Sequence, residues 1–316
     1  MITRFETKVF TWIDVQSPSM EEVEELHHEF KFDTSIKEEL TQHIERSKVR
    51  FFNTHSYVVL QFPTLEGVVH GGKKKEVDFI IGTTFLITVH YEKIGSVNDV
   101  ATDAVDTKQI KTTRDLFFDV VYRQYRKIGK QLEDIDVVIQ HTEQKIFGER
   151  HKKTVEKISE INHKLLDFKR ALRFHKDIWN QLEENVLFRA DAKHINNEYQ
   201  KIWNALEHYQ EIIHSLQGTN DSLIAFRTNE VMRVLTILNF MALPTALIPA
   251  IVSASELPID LAYLVGIILL ASGLIFLFAK KEHKGSSDLR TGLKFKISNL
   301  KSLSSEPSYG VWYNKK

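Results

Sequence analysis

Asn239 lies in a stretch where a polar side chain has few uses. Residues 234–252, VLTILNFMALPTALIPAIV, contain no charged residue. An amide facing hydrocarbon is costly, so Asn239 is expected to face protein or a water-filled path. On a helix, Asn229, Met232, Thr236, Asn239, Leu243, Ala246 and Ala250 recur at intervals of three or four and share one broad face. Polar groups at intervals along an otherwise apolar face suit the lining of a pore. Hydrogen bonding between helices of a structural bundle would use the same pattern, and the periodicity alone leaves both readings open. Pro244 and Pro249 each remove a backbone donor and fit either reading. Beyond the run comes SASELPID, in which Glu256 and Asp260 supply negative charge able to attract cations.

Other chemistry is sparse. The chain has no cysteine, hence no thiolate nucleophile and no zinc site built on sulfur. GxSxG, Walker, HExxH and EF-hand patterns are all absent, so no enzyme and no cofactor is expected. The 14 histidines are scattered. His27 and His28, adjacent on a helix, point in different directions and make a poor metal pair. His175 falls on an apolar face and reads as a satisfied core group. Asp and Glu residues of the helical part could meet across a subunit boundary around a divalent cation, but no pattern selects them. Lys plus Arg and Asp plus Glu balance at 42 each, which gives no bulk field for nucleic acid.

The elements that must position the polar face follow from hydropathy. Residues 234–252 and 261–279 are two charge-free runs, each roughly 28 Å long at helical rise, close to a bilayer core of about 30 Å. They read as a transmembrane hairpin joined by residues 253–260. Arg227 and Arg233 precede it, and Lys280, Lys281 and Lys284 follow it, while the connection has neither Lys nor Arg. Both termini are therefore expected in the cytoplasm, with the chain in an inner or plasma membrane. No cleavable signal is read at the amino terminus. The basic tail, 280–316, is expected to touch anionic lipid.

Residues 1–111 read as an α/β domain. FETKVFTWIDV is expected as a strand, SMEEVEELHHEF and SIKEELTQHI as amphipathic helices, and VHGGKKKEV as a loop with a solvated lysine tip. KVRFFNTHSYVVLQFP and EVDFIIGTTFLITVHY supply strands with Asn-Thr-His and Gly-Thr-Thr turns. From about Thr112 the period becomes 3.6. Residues 112–190 are expected as a helical hairpin broken near Gly148, and 191–233 as a stalk helix that continues into the first span. Ile158, Ile161, Leu165, Phe168, Leu172, His175 and Trp179 form one apolar face; Ile202, Leu206, Tyr209, Ile213 and Leu216 form another. The last helix spans some 60 residues, about 90 Å, unless Gly218 loosens it.

TNEVMRVLTILNFMALPTALIPAI, a short loop, a second apolar span and a KK-rich end together resemble the CorA family of divalent-cation channels. WIDVQSPSMEEVEEL, SKVRFFNTHSYVVLQFP and FIIGTTFLITVH stand in the order of that family's cytoplasmic domain, so the likeness covers nearly all of residues 5–284. It implies an α+β domain, long helices and a homopentamer whose first spans line a pore. Mg²⁺ would be both the ion conducted and a regulatory ligand. Asn229, Met232, Leu235 and Leu243 match positions that line or constrict the family's pore, with Leu235 at the margin of the face above. The sequence departs from the family at its outer mouth. There the family has Gly-Met-Asn, and this chain has Ser253, Ala254 and Ser255. Serine hydroxyls can accept from the waters of hydrated Mg²⁺, but they are shorter than an amide. Loss of conduction, leaving a membrane-anchored scaffold or regulator, is the alternative reading.

Overall fold

The computed structural model describes residues 1–42, 44, 46–63, 74–92, 94, 110–146 and 151–254, together with positions 263, 266, 267, 270 and 273. At 151, 152, 241, 244, 245 and 247–254 it describes the helical backbone alone. The chain divides into two compact units, Met1–Asp221 and Ser222–Lys316.

The first unit opens with a hairpin where a single strand is expected. β1 (Ile2–Glu6) and β2 (Thr11–Gln16) pair antiparallel, with Phe5 opposite Trp12. Thr7 causes the reversal: its hydroxyl donates to the Phe10 carbonyl at 2.7 Å and accepts from the Phe10 amide at 2.9 Å. Helix α1 (Met20–Phe30) starts at a reciprocal cap. Ser19 accepts from the Glu22 amide, and the Glu22 carboxylate accepts from the Ser19 amide. It ends at Lys31, which takes the left-handed conformation with φ 49°.

SIKEELTQHI does not form one helix. It breaks into a single turn, α2 (Thr34–Lys37), and a 3-10 turn, Glu39–Thr41. Ile36 and Leu40 bury against the sheet, and the Tyr91 hydroxyl reaches the Leu40 and Gln42 carbonyls at 3.0 and 3.1 Å. These tertiary contacts hold the carbonyls out of a continuous helical ladder.

Strands β3 (Lys48–Phe51), β4 (His55–Pro63), β5 (Lys74–Gly82) and β6 (Phe85–His90) complete a six-stranded sheet of order β1-β2-β6-β5-β4-β3. Every pairing is antiparallel except β2 with β6. Lys74 and Lys75 belong to β5, opposite Pro63 and Phe62, rather than to a loop; Lys73 lies outside the described residues. One sheet face, with Ile13, Val15, Tyr57, Val59, Ile80, Ile87 and Val89, closes over Val23, Leu26, Phe32, Ile36 and Leu40. The other face meets the helices, Phe79 against Phe117 and Phe62 against Tyr125.

Helix α3 (Thr113–Lys145) begins at a second reciprocal cap, Thr112 with Asp115, where the period changes in the sequence. Then follow α4 (His151–Leu172), α5 (His175–Glu184) and α6 (Arg189–Ala254). The break expected at Gly148 lies outside the described residues. The face from Ile158 to Trp179 is buried at all seven positions, although the chain turns at Arg173 and Phe174. Of the second face, Ile202, Leu206, Ile213 and Leu216 are buried and Tyr209 is half-buried.

Helix α6 has 66 residues, about 100 Å at the standard rise. It is helical through Gly218, Pro244 and Pro249, and through Ser253 and Ala254, which sequence places in the connecting loop. Among the described residues no helix is long and apolar enough to cross a membrane. The first expected span lies in α6, but its second half is described mainly as backbone. All but five positions of the second span lie outside the described residues.

Candidate functional site

The second unit is carried by the carboxy-terminal part of α6. Asn229, Met232, Leu235, Thr236, Asn239, Leu243 and Ala246 are all exposed there. At 100° per residue they fall within an arc of roughly 120°. Ala250, Ser253 and Ala254 continue the same register on the helical backbone. Leu235, marginal in the periodicity, forms one edge of the arc. Ser255, Glu256 and Asp260 lie outside the described residues.

Exposure is not confined to that arc. Val231, Val234, Leu238 and Phe240 are each more than half exposed and point elsewhere around the helix. Apolar side chains exposed on several sides of a helix need cover from lipid or from other helices.

The polar members of the arc differ in what they can offer. The Thr236 hydroxyl donates to the Met232 carbonyl at 2.8 Å, as Thr228 does to Ile224 at 3.0 Å. Its donor is thus used within the helix, and its oxygen lone pairs remain as acceptors. Among the described residues, the Asn229 and Asn239 amides have no hydrogen-bond partner. Water bound to a divalent cation is a strong donor, so a row of oxygen acceptors suits a hydrated ion.

The first unit holds a polar network that sequence reading missed. Asp78, fully buried in the centre of β5, accepts from the Tyr57 hydroxyl at 2.9 Å. Burial, reinforced by the Glu76 carboxylate, holds the Asp78 carboxyl well above the usual carboxylate range. Glu76, two residues earlier on the same sheet face, accepts from the Ile44 amide and from Gln61 Nε2, both at 2.8 Å. The signal was the segment EVDF, two carboxylates alternating with apolar residues at strand period.

His175 is fully buried. Its Nδ1 lies 2.7 Å from the Tyr125 hydroxyl, which also accepts from Trp179 Nε1 at 2.8 Å. Among the described residues its Nε2 has no hydrogen-bond partner, so the expected satisfaction is half met. Burial lowers its pKa to about 3 and keeps the ring neutral. His27 packs edge-on against Phe32, whereas His28 is exposed beside Glu24, as two adjacent helical residues should be. Among the described residues no group of three or more His, Asp or Glu side chains is placed to hold a metal ion.

Known proteins give this architecture a context. The sequence pattern of the family described as CorA-like Mg2+ transporter protein matches residues 7–251. The cobalt/magnesium transport protein CorA of Thermotoga maritima is 23% identical over 252 residues, which is 76% of this chain and 72% of that protein. The complete structure of the CorA magnesium transporter from Methanocaldococcus jannaschii superposes with a TM-score of 0.73 at 16% identity, covering 87% of this chain and 91% of that one. The full-length CmaX protein gives 0.70 at 14% identity, over 86% and 88%. Members of this family are ion transporters rather than enzymes. On the match across residues 7–251, the chain belongs to the CorA-like Mg2+ transporter family.

Proposed function

We propose that the chain is a divalent-cation channel of an inner or plasma membrane, conducting Mg²⁺, with Co²⁺ as a second candidate from the Thermotoga maritima relative. In this reading five copies bring the α6 arc together around a central axis. The carboxy-terminal part of α6 and residues 261–279 form the membrane hairpin, and both termini stay in the cytoplasm. Membrane lipid covers the outward apolar positions, and the polar arc keeps water in the path.

One observation carries this reading. Asn229, Thr236 and Asn239 share an exposed arc of one uninterrupted helix with Met232, Leu235 and Leu243. A lone anchor in lipid has no need of that alternation, although a structural bundle would use it for hydrogen bonds between helices. Rings of acceptors would take the waters of the ion while rings of apolar side chains set the width of the path. At the mouth, Ser253 and Ser255 would serve as acceptors, and Glu256 and Asp260 would concentrate cations by their charge.

Flux into liposomes loaded with a Mg²⁺-sensitive dye tests the proposal. Influx of Mg²⁺ or Co²⁺ is expected, reduced or altered in selectivity by Asn239→Leu and by Ser255→Ala. An assembled oligomer that passes none of these ions would rule the channel out. The replacement of Gly-Met-Asn by Ser253, Ala254 and Ser255 favours the second reading, a non-conducting membrane scaffold or regulator. That reading predicts correct assembly with no flux.

A further inference from the structure

At the turn end of β3–β4 and β5–β6, the first unit contains a cleft of about 290 Å³ that conduction does not use. Its walls are the β3–β4 turn, the β5–β6 turn, the start of α3 and the segment between α5 and α6. This volume is at the lower end for small-molecule sites.

The chemistry of the lining is selective. Phe51 and Phe188 meet with ring centroids 6.3 Å apart, and Phe51 is 42% exposed. Phe52 stacks on His55 at 4.6 Å, the ring planes 15° apart. Among the described residues, Arg114 is the single guanidinium of the lining, and no carboxylate lines the cleft. One of its nitrogens donates to the Leu187 carbonyl at 2.6 Å, and among the described residues it has no acidic partner. The nearest acidic side chain in sequence, Asp115, is occupied by the Lys111 and Thr112 amides at 3.1 and 2.9 Å.

The cleft is held in shape by hydrogen bonds and a close approach within its walls. The Thr113 hydroxyl donates to the Gly82 carbonyl at 2.6 Å, joining the start of α3 to the end of β5. A Cβ at Gly82 would come within 2.4 Å of the Phe85 ring, so the strand end needs glycine for this approach. The Phe52 amide donates to the His55 carbonyl at 2.9 Å and closes the opposite turn.

Exposed aromatic surface beside a guanidinium that has no carboxylate partner among the described residues suits a flat ring bearing negative charge. We propose that this cleft binds a small planar aromatic anion, the ring against Phe51 and the charged group on Arg114. Two sources share this chemistry, an aromatic carboxylate and a nucleoside monophosphate. The proposal does not depend on conduction, because binding is measured without a gradient.

Calorimetric titration of the intact chain in detergent, with indole-3-carboxylate and separately with adenosine 5′-monophosphate, tests it. Saturable binding of one molecule per chain is expected for at least one probe, and the stronger probe identifies the source. Arg114→Gln should weaken it about tenfold and Phe51→Ala about fivefold, while Arg114→Lys restores part of the loss. Absence of saturation with both probes overturns the proposal, as does affinity unchanged in both variants. A changed oligomeric mass in Phe51→Ala also overturns it, since the cleft would then be covered by a second copy.

Discussion

Asp78 and His175 are both buried, and burial moves their protonation in ways that oppose each other with pH. The Asp78 carboxyl, held above its ordinary value, keeps its proton in the folded chain after the unfolded chain has lost it. Its contribution is therefore full at low pH and declines as pH rises above about 4. Asp78→Asn retains an acceptor for Tyr57 and cannot ionise. Its stability advantage over the parent should grow between pH 4.5 and 7.5, measured from urea midpoints; an unchanged difference would contradict the buried-acid assignment. His175 runs the other way. Its folded pKa of about 3 lies below the unfolded value, so stability is full above pH 6.5 and falls on acidification. The fall runs from about pH 6.5 down towards 3, and it should flatten in His175→Phe. The sequence showed His175 on its apolar face because period 3.6 exposes such outliers. It hid Asp78, because two carboxylates in a short strand look the same on an open face and on a covered one.

Among the elements, long helices were the legible part. Thr112 as the start of α3 could be read from the onset of helical period, and the buried faces of α4, α5 and α6 from their spacing. Short elements were not legible in this way. Thr7 folded an expected strand into a hairpin with three hydrogen bonds to Phe10, and Tyr91 capped carbonyls across 51 residues of chain. Such contacts override local propensity and leave no periodic trace. Two substitutions test the helix ends and interior. Lys31→Gly should stabilise the fold by about 0.5–1 kcal/mol, because glycine takes φ 49° without strain. Gly218→Ala should add up to about 1 kcal/mol, since a Cβ there meets nothing within 4 Å. Thermal unfolding checks both. A loss of flux in Gly218→Ala without loss of stability would assign that glycine to gating.

At the scale of the whole chain, Met1–Asp221 forms a compact unit with its own sheet, helices and core. A chain ending at Asp221 should therefore unfold cooperatively in water, followed by tryptophan fluorescence; a broad, non-cooperative transition would show that the remainder is needed for folding. The shared face of the α6 positions was legible from spacing, whereas what packs against that face was not, because periodicity orders residues around one helix and says nothing of its neighbours. The parallel pairing of β2 with β6, the one such pairing among the described residues, has a consequence for synthesis. Trp12 donates to Thr88 across a separation of 76 residues, and no nearer strand takes that edge of β2. The β1–β2 hairpin leaves the ribosome before β6 and cannot be seated against it until β6 has followed. During translation it is an unpaired edge, and in the finished protein it is the strip that keeps β6 from being one.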